Sequence, residues 1–250
     1  FFSRFNPNVP IIITNHQTAE MIKYANNSFL TTKISFINQI ANICQAIPNT
    51  NIDDIAAAIG LDPRIGNMFL NAGPGYGGSC LSKDMNALIN FSDNVGINPT
   101  LLNAVEKINQ EQIQNIISLM EKTLGNLMNK QITILGTAFK PNTDDVRDSV
   151  SIALIKKLMK KKVKIVVYDP KAIKNTKNIF GEKIVYAKSV TDALDKSHCA
   201  IIMVYWKQFD SLNNNSIKHM NKKFIIDCRR VLAKKVLDAE YHAIGLGQKI

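Results

Sequence analysis

Residues 132–170, ITILGTAFKPNTDDVRDSVSIALIKKLMKKKVKIVVYDP, decide the fold. Ile132 to Leu135 is a short run rich in β-branched residues, closed by Gly136. After a loop, Ser149 to Lys161 carries apolar residues at helical spacing. Val163 to Tyr168 (VKIVVY) is a second strand-like run, ended by Asp169 and Pro170. Strand, helix, strand is the unit from which parallel sheets are built. The alternation continues outward. A weaker strand is expected at Lys183 to Tyr186, a helix at Thr191 to Asp195, and strands at Ala200 to Val204 and Phe224 to Asp227. This half therefore reads as a Rossmann-like, doubly wound parallel sheet. No GxGxxG follows its first strand, so the dinucleotide fingerprint is absent from it.

Upstream the period changes. Met21, Ile22, Ala25, Phe29, Ile34, Ile37, Ile40, Ala41 and Cys44 recur at helical spacing from Ala19 to just before Pro48. Ile52 to Ile59 reads as a second helix capped by Gly60, and Ser82 to Val95 as a third stopping near Gly96. Leu101 to Leu127 is a long fourth helix. The expected organisation is an all-helical domain over 16–129 and an α/β domain over 130–250, joined by that fourth helix.

Composition limits the classes available. The chain has 250 residues, 46% hydrophobic and 20% charged, which excludes intrinsic disorder. No apolar run approaches the roughly 20 residues of a membrane span. Val9 to Thr14 (VPIIIT) lacks the layout of a signal peptide, so neither export nor a membrane is indicated. The net charge of +11 is spread out. Its densest cluster, Lys156, Lys157, Lys160, Lys161, Lys162 and Lys164, sits at a helix end, where cations suit the dipole. No aromatic-basic motif accompanies it, so a nucleotide or phosphate is a better expected partner than nucleic acid. Cys44, Cys80, Cys199 and Cys228 form no CxxC pair and no metal-ligand spacing, which predicts reduced thiols in a cytoplasmic setting. Cys44 and Cys199 are expected in the core. Trp206 is expected in the core or at its rim. His16, His198, His219 and His242 share no catalytic spacing.

The strongest chemical signal is Gly73-Pro-Gly-Tyr-Gly-Gly-Ser-Cys80-Leu-Ser-Lys83-Asp84. Its glycines permit a tight backbone path and close approach to a ligand. Cys80 falls at a helix start with Lys83 beside it, a setting that activates a thiol. Asp84, four residues on, shares its helix face. The arrangement suits a nucleophile beside a carboxylate. On residue types alone, a glycine turn capping a helix over an inert cysteine remains equally open.

The string GPGYGGSCLSKD resembles the catalytic cysteine motif of the UDP-glucose/GDP-mannose dehydrogenase family. MIKYANNSFLTTKISFINQIANIC, IGLDPRIGNMFLNAGPGYGG, ILGTAFKPNTDDVRDSVS and IIDCRRVL resemble further segments of that family in the same order. The resemblance runs over nearly the whole chain from Pro10. It implies two successive NAD-dependent oxidations of a sugar CH2OH to a carboxylate. Cys80 would add to the aldehyde as a thiolate, and the thiohemiacetal would become a thioester that water hydrolyses. Asp84 would position that water or act as a base. Lys23 and Asn27, four apart on one helix, would meet the reacting sugar and stabilise an oxyanion. Asn71, Gly73, Gly75, Tyr76 and Gly77 would hold substrate through the loop backbone. Arg64 would reach the sugar site of a neighbouring subunit. Phe139, Lys140 and Arg229 would contact the nucleotide, the two cations suiting a diphosphate. Lys83 and Arg147, with Cys80, would meet NAD. Arg230 reads as structural, although which of the two arginines faces the ligand stays open.

The resemblance also implies what is missing. The family's N-terminal domain carries a glycine-rich NAD fingerprint, and no such unit occurs here. Residues 1–15 look like the end of that domain, and little or no dehydrogenase activity is expected of the chain alone. The serine before Cys80 suits the UDP-glucose or the GDP-mannose branch and Tyr76 favours UDP-glucose, giving UDP-glucose as substrate and UDP-glucuronate as product. The alternatives are the GDP-mannose and UDP-N-acetylmannosamine branches, or a non-catalytic UDP-sugar-binding module. The long helices suit a homodimer core.

Overall fold

The computed structural model of the chain describes residues 9–233 and 235–248. Residues 1–8 of the expected preceding-domain remnant lie outside these, and residues 9–15 are exposed and without regular structure.

Helix α1 spans His16–Ala46. It starts where the Asn15 side chain accepts a bond from Thr18 N (2.8 Å) and ends at Ile47, extended as a residue before proline must be. Its buried stripe includes Ile37, Ala41 and Cys44. Helix α2 spans Ile52–Gly60. Gly60 is therefore inside the helix and not a cap beyond it; a Cβ there would sit 3.0 Å from Asn67 Cα. Helix α3 spans Leu81–Asn94, and Gly96 at φ +76° turns the chain away after it. Helix α4 covers Thr100–Leu124. It ends three residues before the expected Leu127, because Gly125 takes φ +67°. Leu127 itself is buried.

The rest builds a six-stranded sheet. Strands β1 (Gln131–Leu135), β2 (Lys164–Tyr168), β3 (Val185–Tyr186), β4 (Cys199–Ile202), β5 (Phe224–Asp227) and β6 (Glu240–Ala243) lie in the order β3-β2-β1-β4-β5-β6. Every neighbouring pair is parallel. Helices α5 (Val150–Lys160), α6 (Ile173–Phe180) and α7 (Val190–Leu194) join the strands. Strands β4 and β5 are buried at every residue, as interior strands of a parallel sheet are, and so read as continuous apolar runs. Two elements escape the sequence pattern. In α6 (IKNTKNIF) only Thr176 and Phe180 are buried. In β6 (EYHA) only Ala243 is fully buried, and its order comes from pairing with β5.

Helices and sheet share a core. Ile37, Ala41, Ile52, Ile116, Ile117 and Met120 pack in the same apolar cluster as Ile132, Ile134, Ile201 and Ile226. Tyr76, Met85 and Val105 form a smaller cluster beneath α3.

Candidate functional site

The chain runs from β1 outward through β2 to β3 on one side and then crosses back from β3 to β4 on the other side of β1, so the strand order reverses there. A crevice opens outside the carboxyl ends of these strands. The chain places its candidate residues there. Phe139 and Lys140 follow β1, Tyr205 follows β4 and Arg229 follows β5, and all four line one cleft of about 410 Å³. The helical half supplies the facing wall with Ile34, Asn38, Phe69 and Leu81. Asn71, Gly73, Gly75, Tyr76 and Gly77 complete it. The structure thus brings together all eight residues that sequence placed around the nucleotide and loop, from both halves of the chain.

The glycines of the loop answer to protein atoms. A Cβ on Gly73 would lie 2.8 Å from an Arg229 Nη, and one on Gly75 2.6 Å from Asn109 Oδ1. On Gly77 it would lie 2.3 Å from the Asp148 carbonyl oxygen, and on Gly78 2.6 Å from the Phe139 ring. Three hydrogen bonds fix the same segment. Asn38 Oδ1 accepts from Gly73 N (2.8 Å), and Asn109 Oδ1 accepts from Tyr76 N (2.8 Å). Asp148, at φ +49°, turns its carbonyl to accept from Gly78 N (3.2 Å). Asn109 also donates to the Tyr76 carbonyl (3.2 Å), and the Tyr76 hydroxyl donates to Glu106 (2.7 Å). Burial and that carboxylate push the Tyr76 phenol well above its usual range, so it stays a neutral donor.

Past the loop, Cys80 is exposed at the start of α3, while Cys44, Cys199 and Cys228 are buried. Burial drives the Cys199 and Cys228 thiols up, which makes them inert. Asp84, one turn after Cys80, receives Lys23 Nζ (3.1 Å) and Asn27 Nδ2 (2.6 Å) on the same oxygen. Lys23 and Asn27 stand on α1, so two helices converge on one carboxylate. The group presents a cation, an amide and an acid beside an exposed thiol.

Lys23, Asn27, Cys80 and Asp84 do not line the cleft but gather beyond the loop, and three further expected residues belong to neither group. Arg64 is held by Asp62 (2.6 Å) with its side chain 87% exposed. Lys83 is exposed on α3. Arg147 is exposed and paired with Asp145 (2.7 Å), whose hydrogen bond raises its pKa. In each Arg–Asp pair the guanidinium bond holds the carboxyl below its usual range.

The cations in the cleft differ. Arg229 is half-buried and, among the described residues, bonds through its side chain only to the Met203 carbonyl (2.9 Å). Burial lowers its pKa, the mark of a desolvated cation without a paired anion. Lys140 stands over the Phe139 ring (5.3 Å). Arg230 points elsewhere, to Asp53 (2.6 Å), Asn51 (2.6 Å) and the Ile244 carbonyl (3.0 Å). Arg229 is the arginine that faces the cleft. Trp206 is core, 6% exposed.

A dinucleotide would need a free acid at the end of β2 to take a ribose hydroxyl. Asp169 holds that place and is fully used. Its two oxygens accept from Thr137 N (2.7 Å), Ala138 N (3.1 Å), Lys171 N (2.9 Å) and Ala172 N (2.8 Å). The sheet half fits a nucleotide at its switch point and does not fit NAD in the dinucleotide manner.

Sequence reading passed over Asn38, Glu106 and Asn109. Asn38 carried a signal, a polar residue on the buried face between Ile37 and Ala41. Glu106 and Asn109 lie on a helix that reads as a connector, and nothing in the local pattern ties them to a loop some thirty residues away.

A doubly wound sheet with cationic residues at its switch point, facing a helical half with an exposed thiol at a helix start, defines the architecture of a nucleotide-binding α/β protein. Residues 17–111 match the central domain of the UDP-glucose/GDP-mannose dehydrogenase family and residues 133–234 its UDP binding domain. The chain belongs to that family. It is similar to the UDP-glucose 6-dehydrogenase of Rickettsia conorii, 41% identical over 95% of this chain and 56% of the relative. It is similar also to UDP-glucose 6-dehydrogenase TuaD of Bacillus subtilis, 38% identical over 94% of this chain and 52% of the relative. Among solved structures, a UDP-glucose dehydrogenase from Pyrobaculum islandicum superposes with a TM-score of 0.89 at 30% identity, covering 97% of this chain and 54% of that one. The chain spans about half the length of the curated relatives it matches.

Proposed function

We propose that this chain carries the UDP-binding cleft and the catalytic thiol of an NAD-dependent UDP-glucose 6-dehydrogenase, which oxidises UDP-glucose to UDP-glucuronate. The observation that carries the reading is the half-buried Arg229, with Lys140 across the same cleft and no carboxylate paired to either among the described residues. Two unpaired cations at a sheet switch point suit a diphosphate. The sugar would then extend past Gly77 toward Cys80. There the thiol would add to an aldehyde carbon, and Lys23 and Asn27 would steady the resulting oxygen. Asp84, already bonded to both, would orient the water that hydrolyses the thioester. NAD, when bound, is the oxidant for both steps. Lys83 and Arg147 are the residues of this chain proposed to meet it.

The four unpaired cysteines support a reducing, cytoplasmic setting, and no described helix is long and apolar enough to cross a membrane. Ile22, Phe29, Phe36 and Ile43 form an exposed stripe along α1 at seven-residue spacing. This supports a homodimer through the central helices, as sevenfold spacing favours helix pairing. Arg64, exposed at the helical half's surface, would serve a neighbouring copy.

Calorimetric titration with UDP and with NAD tests the reading. UDP binds the chain and Arg229→Ala weakens it at least about tenfold, the worth of a charged hydrogen bond. NAD binds weakly, and the chain alone forms no NADH from UDP-glucose. Absence of UDP binding would remove the reading.

A further inference from the structure

Arg229 and Arg230 are neighbours in sequence whose side chains part company. Arg230 sits in the left-handed region at φ +59°. For an arginine this conformation is strained, so something must hold it. The holders are visible. Its side chain is 8% exposed, and the guanidinium forks between Asp53 Oδ2 and Asn51 Oδ1, both at 2.6 Å, with a third bond to the Ile244 carbonyl. Asn51 is the N-cap of α2 and Asp53 lies in its first turn. Arg230 thus fastens the segment after β5 to the start of a helix in the other half of the chain. On the other side, Asp227 Oδ1 accepts from Arg229 N (3.0 Å) and Oδ2 from Leu232 N (2.7 Å), so the buried carboxylate fixes the turn from within.

We propose that Arg230 is a positioning residue. Its left-handed backbone and its anchorage on Asn51 and Asp53 hold Arg229 in the one orientation that faces the cleft. Released from the anchor, the 229–230 peptide rotates toward the right-handed region and carries Arg229 off its bond to the Met203 carbonyl. The same link makes the nucleotide-facing cation depend on where α2 stands relative to the sheet. The proposal rests on the reading of the cleft as a UDP site.

A double-mutant cycle read by UDP titration separates this role from simple stabilisation. Arg230→Ala keeps the cost of φ +59° but removes the anchor, and Asp53→Asn leaves Arg230 in place while taking away its charged partner. Both weaken UDP binding by about fivefold to tenfold, the range of one well-aligned charged hydrogen bond. In an Arg229→Lys background, which keeps a charge but loses the fork, neither adds a further loss. Unchanged affinity in Arg230→Ala or Asp53→Asn, or losses that add fully to that of Arg229→Lys, overturns the positioning role and leaves the UDP site standing. Should Arg230→Ala fail to fold, the exposed Asp53→Asn decides alone. Failure of the unsubstituted chain to bind UDP overturns the site and this role together.

Discussion

Gly77 offers the sharpest test of how the glycine-rich loop is built. Its φ is not in the left-handed region, so alanine there meets no backbone penalty. The obstacle is steric: the added Cβ would stand 2.3 Å from the carbonyl oxygen of Asp148. That atom is backbone and cannot swing aside like a side-chain tip. It also accepts the Gly78 N–H at 3.2 Å, which links the loop to the β1–α5 connection. Relieving the overlap means separating the two backbones. The strain of such overpacking is about 1–3 kcal/mol, and the lost hydrogen bond adds about 1 kcal/mol. Gly77→Ala is therefore expected to destabilise by about 2–4 kcal/mol. Gly66→Ala is the control. Gly66 has φ +66° with nothing within 4 Å of its would-be Cβ, so only backbone strain of about 1–2 kcal/mol applies. Urea denaturation of both variants, with equal m-values, gives the comparison. Gly77→Ala at wild-type stability, or Gly66→Ala costing as much as Gly77→Ala, would refute the steric account. Cleft widening would show as weaker UDP binding in Gly77→Ala alone.

Asn109→Ala strips both partners from the Tyr76 peptide and is expected to cost about 2 kcal/mol in urea denaturation, with a fall in UDP affinity; loss of stability without loss of affinity would confine Asn109 to the fold. Cys80 alone is exposed, so iodoacetamide should add one group to the native protein and four after unfolding; mass spectrometry showing more than one native adduct would contradict the burial of the others. Burial lowers the pKa of His198 and His242, so the folded state binds fewer protons than the unfolded one below pH 6.5. The stability these groups contribute is present above that value and is lost as pH falls through their folded pKa. The melting temperature should drop on acidification, and His242→Gln should flatten that drop; an unaltered profile would discount the histidine.

Much of this protein was legible in one dimension because its strongest signals are local. The runs at Ile132 and Val163 are apolar because interior parallel strands are covered on both faces, so their composition carries the fold directly. The Cys80 motif was legible because a helix start, a thiol and an acid one turn later lie within five residues. Lys23 and Asn27 show as a pair by spacing on one helix, while their meeting with Asp84 does not, because it depends on how α1 packs against α3. Strand β6 and helix α6 were missed for the same reason in reverse. Too few of their residues are buried to leave a period, and neighbouring elements impose their order.

The sequence by itself determined the types of most elements, the order of the two halves and which thiol falls at a helix start, since each follows from periodicity or from chemistry over a few residues. Only the tertiary structure decided which arginine faces the cleft, what the loop glycines avoid and why Asp169 cannot take a ribose. Those outcomes rest on contacts between residues far apart in the chain. The glycine at 77 is required by a carbonyl at 148, and the arginine at 230 is held by an asparagine at 51. Pair distances of that kind are set by packing, which no local pattern encodes.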